Sequence, residues 1–324
     1  MRSYDELRSL FEEEINRQEI RRKPKELYEP IVYTLEIGGK RLRPLLCLMA
    51  CEMFGRDASE AMNQAIAIEY FHNFTLIHDD IMDNAPIRRG KKSVYKKWNH
   101  NIAILSGDTL FALAYQYAQR VDKEIIHDIL CVFNQTAIEV CEGQQYDLNF
   151  ERDNHVTVND YIEMIRLKTA VLFGASLRIG AQIGGASLED AQRLYDFGVS
   201  IGLGFQIRDD LLDTFGDENV FGKKTGGDIL TNKKTYLYLK ALELANPEQH
   251  AELTRLYNTT EIDDAEKIRR VTHIFNDLGI EEVVKKIIHS YYSDGMNHLQ
   301  AVNVDEKNKQ GLSQLAHKII DRKK

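Results

Sequence analysis

The chain has 324 residues, 43% of them hydrophobic and 28% charged, with a net charge of −8. That is a globular composition, and the acidic balance argues against nucleic acid as a partner, because a nucleic-acid surface needs a basic face. Four cysteines without a CxxC do not make a disulfide framework, no run of about 18 apolar residues spans a membrane, and Met1-Arg2-Ser3-Tyr4-Asp5-Glu6 carries no apolar leader, so a cytoplasmic, reducing setting is expected.

Long helices are predicted throughout. There are five prolines, none of them between Pro86 and Pro247, and strand-like alternation bounded by turns is missing. Ser3 with Glu6 makes a capping box ahead of Leu7, Leu10, Phe11 and Ile15. A segment beginning near Pro24 ends at Gly38-Gly39, where the cations Lys40, Arg41 and Arg43 follow. Residues 42–54 continue apolar to Gly55, placing Cys47 and Cys51 one turn apart as core residues. Residues 60–83 contain no Gly or Pro and end on Asp79-Asp80-Ile81-Met82-Asp83, followed by Arg88-Arg89-Gly90-Lys91-Lys92. Thr157 or Asn159 opens a helix running to about Gly180 and carrying Lys168. Ser187 opens another that ends on Asp209-Asp210-Leu211-Leu212-Asp213, with Gly222-Lys223-Lys224 beyond it. Further helices follow Asp228, broken near Pro247 and Gly279. No linker divides the chain, so a single all-α domain over 1–324 is expected.

The acidic cluster is thus written twice, 130 residues apart. In a helix, residues four apart share a face, so Asp79 aligns with Asp83 and Asp209 with Asp213, while Asp80 and Asp210 sit about 100° round. Oxygen-only ligands suit a hard cation such as Mg²⁺, which takes one or two carboxylates and completes its shell with water and phosphate oxygens. A single acidic cluster is as readily a solvated helix face. Two copies within apolar helices, each followed by basic residues able to grip phosphate, favour diphosphate chemistry.

These segments resemble the trans-isoprenyl diphosphate synthase family, of the farnesyl and geranylgeranyl diphosphate synthase type. The likeness runs in family order through Gly38-Gly39-Lys40-Arg41-Leu42-Arg43-Pro44, His78 to Asp83, Arg88-Arg89-Gly90, Glu142-Gly143-Gln144 with Asp147, Lys168-Thr169, Gly204 to Asp213, and Gly222-Lys223 with Gly227-Asp228 and Asn232-Lys233. The resemblance implies the isoprenoid synthase fold, a large helical bundle around a central cavity, and a homodimer. It implies three Mg²⁺ ions, two on Asp79 and Asp83 and one on Asp209 helped by Asp213, with Asp80 and Asp210 in the same catalytic clusters. It assigns the allylic diphosphate to Arg88, Lys168, Lys223 and Lys233, and isopentenyl diphosphate to Lys40, Arg43, His72 and Arg89. His72, alone on an apolar helix, reads equally well as a core residue. Thr169 and Gln206 are expected to stabilise a carbocation by their dipoles. The stretch from Thr214 to Lys233 has the composition of a closing loop, or of an ordinary connection.

Under this resemblance the product tail runs back along the first acidic helix. Phe74 and Thr75 stand about 6–7.5 Å behind Asp79, with Phe71 a turn deeper. A large residue beside a small one makes a half-closed floor, pointing to farnesyl or geranylgeranyl diphosphate rather than a long polyprenyl chain. Phe74 also reads simply as core. Three other readings compete, one of them a non-catalytic regulatory subunit of a hetero-dimer, which would typically degrade one of the two clusters. A terpene cyclase normally lacks the second DDxxD in this form. A His-Asp metal phosphohydrolase, prompted by His78-Asp79, needs further His ligands.

Overall fold

The computed structural model describes residues 2–153, 155–216, 225–259 and 261–320. The capping box forms as expected. The Glu6 amide donates to Ser3 Oγ and the Ser3 amide to Glu6 Oε2 (2.7 Å), opening α1 (Tyr4–Arg17), whose Leu7, Phe11 and Ile15 are buried along one stripe. Helix α2 (Lys25–Glu36) starts from Pro24, and α3 (Leu42–Met53) buries Cys47 and Cys51. A 3₁₀ turn (Ala58–Ala61) leads into α4 (Met62–Met82). From Gln64 to Phe71 every residue of α4 is buried, as in a helix enclosed on all sides, and only its last turns open outward.

A two-strand hairpin follows, β1 (Ile87–Arg88) and β2 (Lys91–Lys92), with Arg88 opposite Lys91. Its corner residues, Arg89 and Gly90, both have positive φ (50° and 76°), the backbone of a tight hairpin turn. Two-residue strands made largely of charged residues leave no alternating pattern, so helix-only reasoning overlooks them. Then come α5 (Val94–Lys97), α6 (His100–Ala118), α7 (Ile126–Phe150) and α8 (Val158–Ile165), the last capped by Thr157. The helix expected to continue to Gly180 is interrupted. Residues Arg166–Ala170 widen into a π-helical turn before α9 (Val171–Ile183). Helix α10 (Leu188–Phe215) carries the second acidic cluster, followed by α11 (Gly227–Leu230), α12 (Tyr236–Leu244), α13 (Pro247–Asn258), α14 (Asp264–Asp277), α15 (Ile280–Ala301) and α16 (Glu306–Ile320).

The chain falls into two compact units. Unit 1 comprises residues 1–134, 175–194 and 303–312, and unit 2 residues 135–174, 195–302 and 313–324. Four of the five divisions fall within α7, α9, α10 and α16, so no sequence linker marks them. Unit 1 centres on Leu7, Phe11, Ile31, Leu45, Tyr70 and Phe71, and unit 2 on Tyr161, Phe173, Phe197, Leu237, Phe275 and Ile288, all at most 1% exposed. Each such side chain contributes about 1.5–3 kcal/mol by leaving water. Among the described residues no helix is long and apolar enough to cross a membrane.

Candidate active site

Unit 1 presents the first acidic cluster where α4 emerges from its buried half. Asp79 is half-buried and Asp83 exposed, one turn apart, while Asp80 is 3% exposed. The buried member points elsewhere. Arg88, on β1, donates Nε and Nη2 to Asp80 Oδ1 at 2.9 and 2.6 Å. Burial raises the Asp80 pKa and Arg88 opposes the rise without cancelling it. Arg88 is therefore tethered to the cluster it follows in sequence, which fixes the hairpin to the end of α4.

Arg89 occupies the corner of that hairpin at φ 50°, a conformation disfavoured for a residue with a Cβ by about 1–2 kcal/mol. Its guanidinium donates to the Gly38 carbonyl, and Tyr33 Oη donates to the Lys92 carbonyl at 2.8 Å, so both sides of the hairpin are pinned to α2 and the turn after it. Gly39 is needed there because a Cβ would stand 2.7 Å from Arg89 Nη1. The same turn holds Lys40, whose carbonyl accepts from Tyr4 Oη at 2.9 Å. Arg43, on the first turn of α3, lies 3.4 Å through Nη1 from His72 Nε2. Burial first, then Arg43, Arg89, Arg88 and Arg41, push the His72 pKa well down. A neutral His72 accepts from Arg43, and the same arginines mark a locally positive potential. Lys40, Arg43, His72 and Arg89, assigned together by resemblance, are thus gathered around one turn.

Arg41 corrects one expectation. Grouped by sequence with the phosphate-gripping cations, it is 5% exposed and consumed internally, pairing with Glu69 (2.5 Å), Glu12 (3.1 Å) and the Leu35 carbonyl (2.8 Å). Its left-handed backbone (φ 50°) turns the side chain inward at the start of α3. His78 is also accounted for structurally, because Nε2 lies 3.2 Å from the Ile104 carbonyl of α6 and the ring rests where Gly107 leaves room.

Below Asp79 the rings stack in a layer wider than the sequence revealed. Phe74 meets Phe111 of α6 at 4.9 Å, and Phe71 meets Phe133 of α7 at 5.6 Å and Phe111 at 6.0 Å. Tyr115 bridges Phe111 and Phe133 at 5.0 Å each. The Thr75 hydroxyl donates to the His72 carbonyl at 2.8 Å, satisfying itself on its own helix. Phe111 and Phe133 lie 28 and 50 residues beyond the acidic motif, and nothing local to them signals their part.

Unit 2 repeats the pattern. Asp209 and Asp213 are half-buried, one turn apart on α10, and Asp210 between them is 3% exposed. Asp210 accepts from the Tyr161 hydroxyl and, at 3.0 Å, from Gln206 Nε2. Burial, then Asp228, push its pKa up to about 7. Gln206 Oε1 in turn accepts from Thr169 Oγ1 at 3.1 Å. Asp213 Oδ2 accepts the Asp228 amide at 2.8 Å, capping α11 and tying the incoming segment to the cluster.

The π turn carries Lys168, whose Nζ lies 2.5 Å from Asp147 Oδ2 on α7. Burial raises the Asp147 pKa, but Lys233 and Lys168 outweigh it and the net shift is downward. Lys168 pairs with this carboxylate directly, and Lys233 acts on it by its charge. The backbone reaches α7 because Gly143 is there. A Cβ at 143 would overlap the Lys168 amide and sit 2.7 Å from Lys168 Cα. Asn232, at φ 58°, accepts from the buried Lys267 of α14 just before Lys233. Lys223, and with it part of the expected closing loop, lies outside the described residues.

The donor chemistry fits Mg²⁺. Each cluster sets two carboxylates that are not fully buried a turn apart, all oxygen, and buries its third among protein donors, while Asp213 also takes the Asp228 amide. Among the described residues no group of three or more His, Cys, Asp or Glu is gathered in metal-holding geometry. A site completed by water and substrate oxygens needs no such group.

Comparison with known proteins places this arrangement. The family model of polyprenyl synthetase matches residues 24–275. The geranylgeranyl diphosphate synthase of Methanosarcina mazei is 38% identical over 302 residues, 93% of this chain and 91% of the relative. The geranylfarnesyl diphosphate synthase of Natronomonas pharaonis is 37% identical over 254 residues, covering 73% and 74%. The crystal structure of a geranylgeranyl pyrophosphate synthase superposes with a TM-score of 0.95 at 43% identity, covering 100% of both chains. The chain belongs to the polyprenyl synthetase family and is a trans-isoprenyl diphosphate synthase, a prenyltransferase of the all-α isoprenoid synthase fold.

Proposed function

We propose that this chain condenses isopentenyl diphosphate with allylic diphosphates and releases geranylgeranyl diphosphate. The observation that carries the reading is the doubled cluster, in which two carboxylates a turn apart remain at least partly exposed while the third is buried and anchored in protein. We assign Mg²⁺ binding to Asp79 and Asp83 and to Asp209 and Asp213. When bound, these ions, three by family likeness, supply the charge that lets diphosphate leave an allylic carbon.

The protein's own groups do the rest. Lys168, held by Asp147, and Lys233 present positive charge to the allylic diphosphate, with Arg88 steadied by Asp80 and Lys223 added from the segment between α10 and α11. Lys40, Arg43, neutral His72 and Arg89 take the second diphosphate. The Gln206 carbonyl and Thr169 hydroxyl dipoles face the developing carbocation, and the enclosing helices keep water from quenching it. No side chain is assigned as base, since the departing diphosphate can accept the proton lost on coupling. Phe74 with Phe111 limits the tail, supporting a twenty-carbon product in keeping with the names of several relatives.

Ile104 and Leu105 of α6, 42% and 58% exposed, support a homodimer, to be read by light scattering. The four free cysteines suit a reducing cytoplasm. The direct test supplies purified protein with isopentenyl diphosphate and each of dimethylallyl, geranyl and farnesyl diphosphate, with and without Mg²⁺. A linear, Mg²⁺-dependent twenty-carbon diphosphate is expected. A cyclic hydrocarbon, or no coupling with any starter, would overturn the proposal.

A further inference from the structure

We infer that Tyr161 is a positioning residue for prenyl transfer. With Asp210 it sets the orientation of Gln206 and, through it, of Thr169. The inference rests on the prenyl-transfer reading above and deepens it.

The argument is one of donors and acceptors. Asp210 has its two oxygens engaged from different directions, Oδ2 by the Tyr161 hydroxyl and Oδ1 by Gln206 Nε2 at 3.0 Å. Gln206 and Asp210 are four residues apart on α10 and so share a face. Once Nε2 is committed to Asp210, the Gln206 carbonyl must point the other way, and there it accepts Thr169 Oγ1 at 3.1 Å. With Asp210 accepting from both neighbours, the order Tyr161, Asp210, Gln206, Thr169 has one internally consistent arrangement of hydrogen bonds. Reversing the Gln206 amide would turn a carbonyl oxygen onto the carboxylate.

Burial makes Tyr161 hard to replace. It is 1% exposed and Asp210 3%, so water has no route to substitute for a lost hydroxyl. Its ring meets that of Tyr236 edge-on, 6.5 Å between centroids. The two ends of the relay also bracket the π turn. Tyr161 lies before it on α8 and Thr169 within it, while both middle members belong to α10. Lys168 sits between the two fastening points. A buried phenol so placed touches no substrate and acts through its neighbours. Asp80 and Arg88 provide the corresponding anchor in unit 1, by an ion pair rather than a phenol.

The test is a kinetic double-mutant cycle on the full-length protein with Mg²⁺, combining Tyr161→Phe with Thr169→Val. Tyr161→Phe removes one oxygen and keeps the ring. It should lower kcat roughly ten- to a hundredfold while KM for both diphosphates stays within about twofold, and a larger share of allylic substrate should be released as alcohol. The double variant should be no slower than the slower single variant, within about threefold, because both changes break one relay. A Tyr161→Phe enzyme with parental kcat, or a double variant whose losses multiply, overturns the inference. If Tyr161→Phe fails to fold by circular dichroism, Asp210→Ala takes its place in the cycle with the same expectations, since it removes the acceptor of both Tyr161 and Gln206. An inactive parent would count against the prenyl-transfer reading itself, whereas an active parent with an unaffected Tyr161→Phe counts only against the relay.

Discussion

Replacing Phe74 by alanine should lengthen the product by one five-carbon unit and no more. Phe74 stands five residues behind Asp79, about 7.5 Å along α4, and Phe71 eight residues behind, about 12 Å. Removing the first ring therefore opens about 4.5 Å of depth before the next ring closes it. Phe71 is 1% exposed and wedged against Phe111 and Phe133, so it stays in place as the new floor. The stability cost should be below the roughly 3–5 kcal/mol of a fully buried Phe→Ala change, because Phe74 is only half-buried. Products are dephosphorylated and resolved by reversed-phase chromatography after incubation with farnesyl and isopentenyl diphosphates. Phe111→Ala should move the distribution in the same direction, since its ring lies 4.9 Å from that of Phe74. An unchanged distribution in both variants would show that the tail does not follow α4 and that the aromatic layer is ordinary core.

Asp79→Ala and Asp209→Ala should each reduce turnover at least roughly a hundredfold, since metal-borne charge stabilisation is worth several kcal/mol, with melting temperature little changed; near-parental rates in either would remove that cluster from the mechanism. The Asp210 carboxyl, pushed up to about 7 by burial and Asp228, contributes stability below the ordinary carboxylate pKa of about 3.9 and loses it as pH rises through about 7. In chelator-treated protein, the melting temperature of the parent relative to Asp210→Asn should therefore fall between about pH 4 and pH 8, and a constant difference would contradict the assignment. Gly143→Ala should cost about 1–3 kcal/mol in urea unfolding and depress kcat by displacing Lys168, so a variant with parental stability and rate would mean that α7 and the π turn have slack between them.

The helices were legible because their signals are local. The Ser3–Glu6 box, the Thr157 cap and the breaks at Gly38-Gly39 and Gly55 each sit within a few residues of the boundary they create. The acidic clusters were legible because their spacing is itself the chemistry. What stayed hidden depends on contacts across long stretches of chain. Nothing beside Arg41 reveals that Glu69, 28 residues on, will consume it, and nothing beside Phe111 shows that it meets Phe74. The π turn was missed for another reason. Arg166–Ala170 has no helix-breaking residue, and the bare backbone that lets it press on α7, Gly143, is 25 residues away from Lys168. Tyr161 likewise reads as an ordinary buried aromatic until Asp210 is found beneath its hydroxyl.

The widened turn at Arg166–Ala170 also bears on how this chain can be improved or varied. Deleting one residue from that stretch would restore a regular helix, and scoring by backbone regularity would favour the shorter chain. The same deletion would leave the flanking helices close to their present phase but shift the residues of the turn by one position, carrying Lys168 and Thr169 away from Asp147 and Gln206. Stability and catalysis therefore pull in opposite directions on the number of residues here, rather than on their identity. A library that varies side chains but keeps chain length would never sample that conflict, while one that admits single-residue deletions should return well-folded, inactive proteins concentrated at this turn.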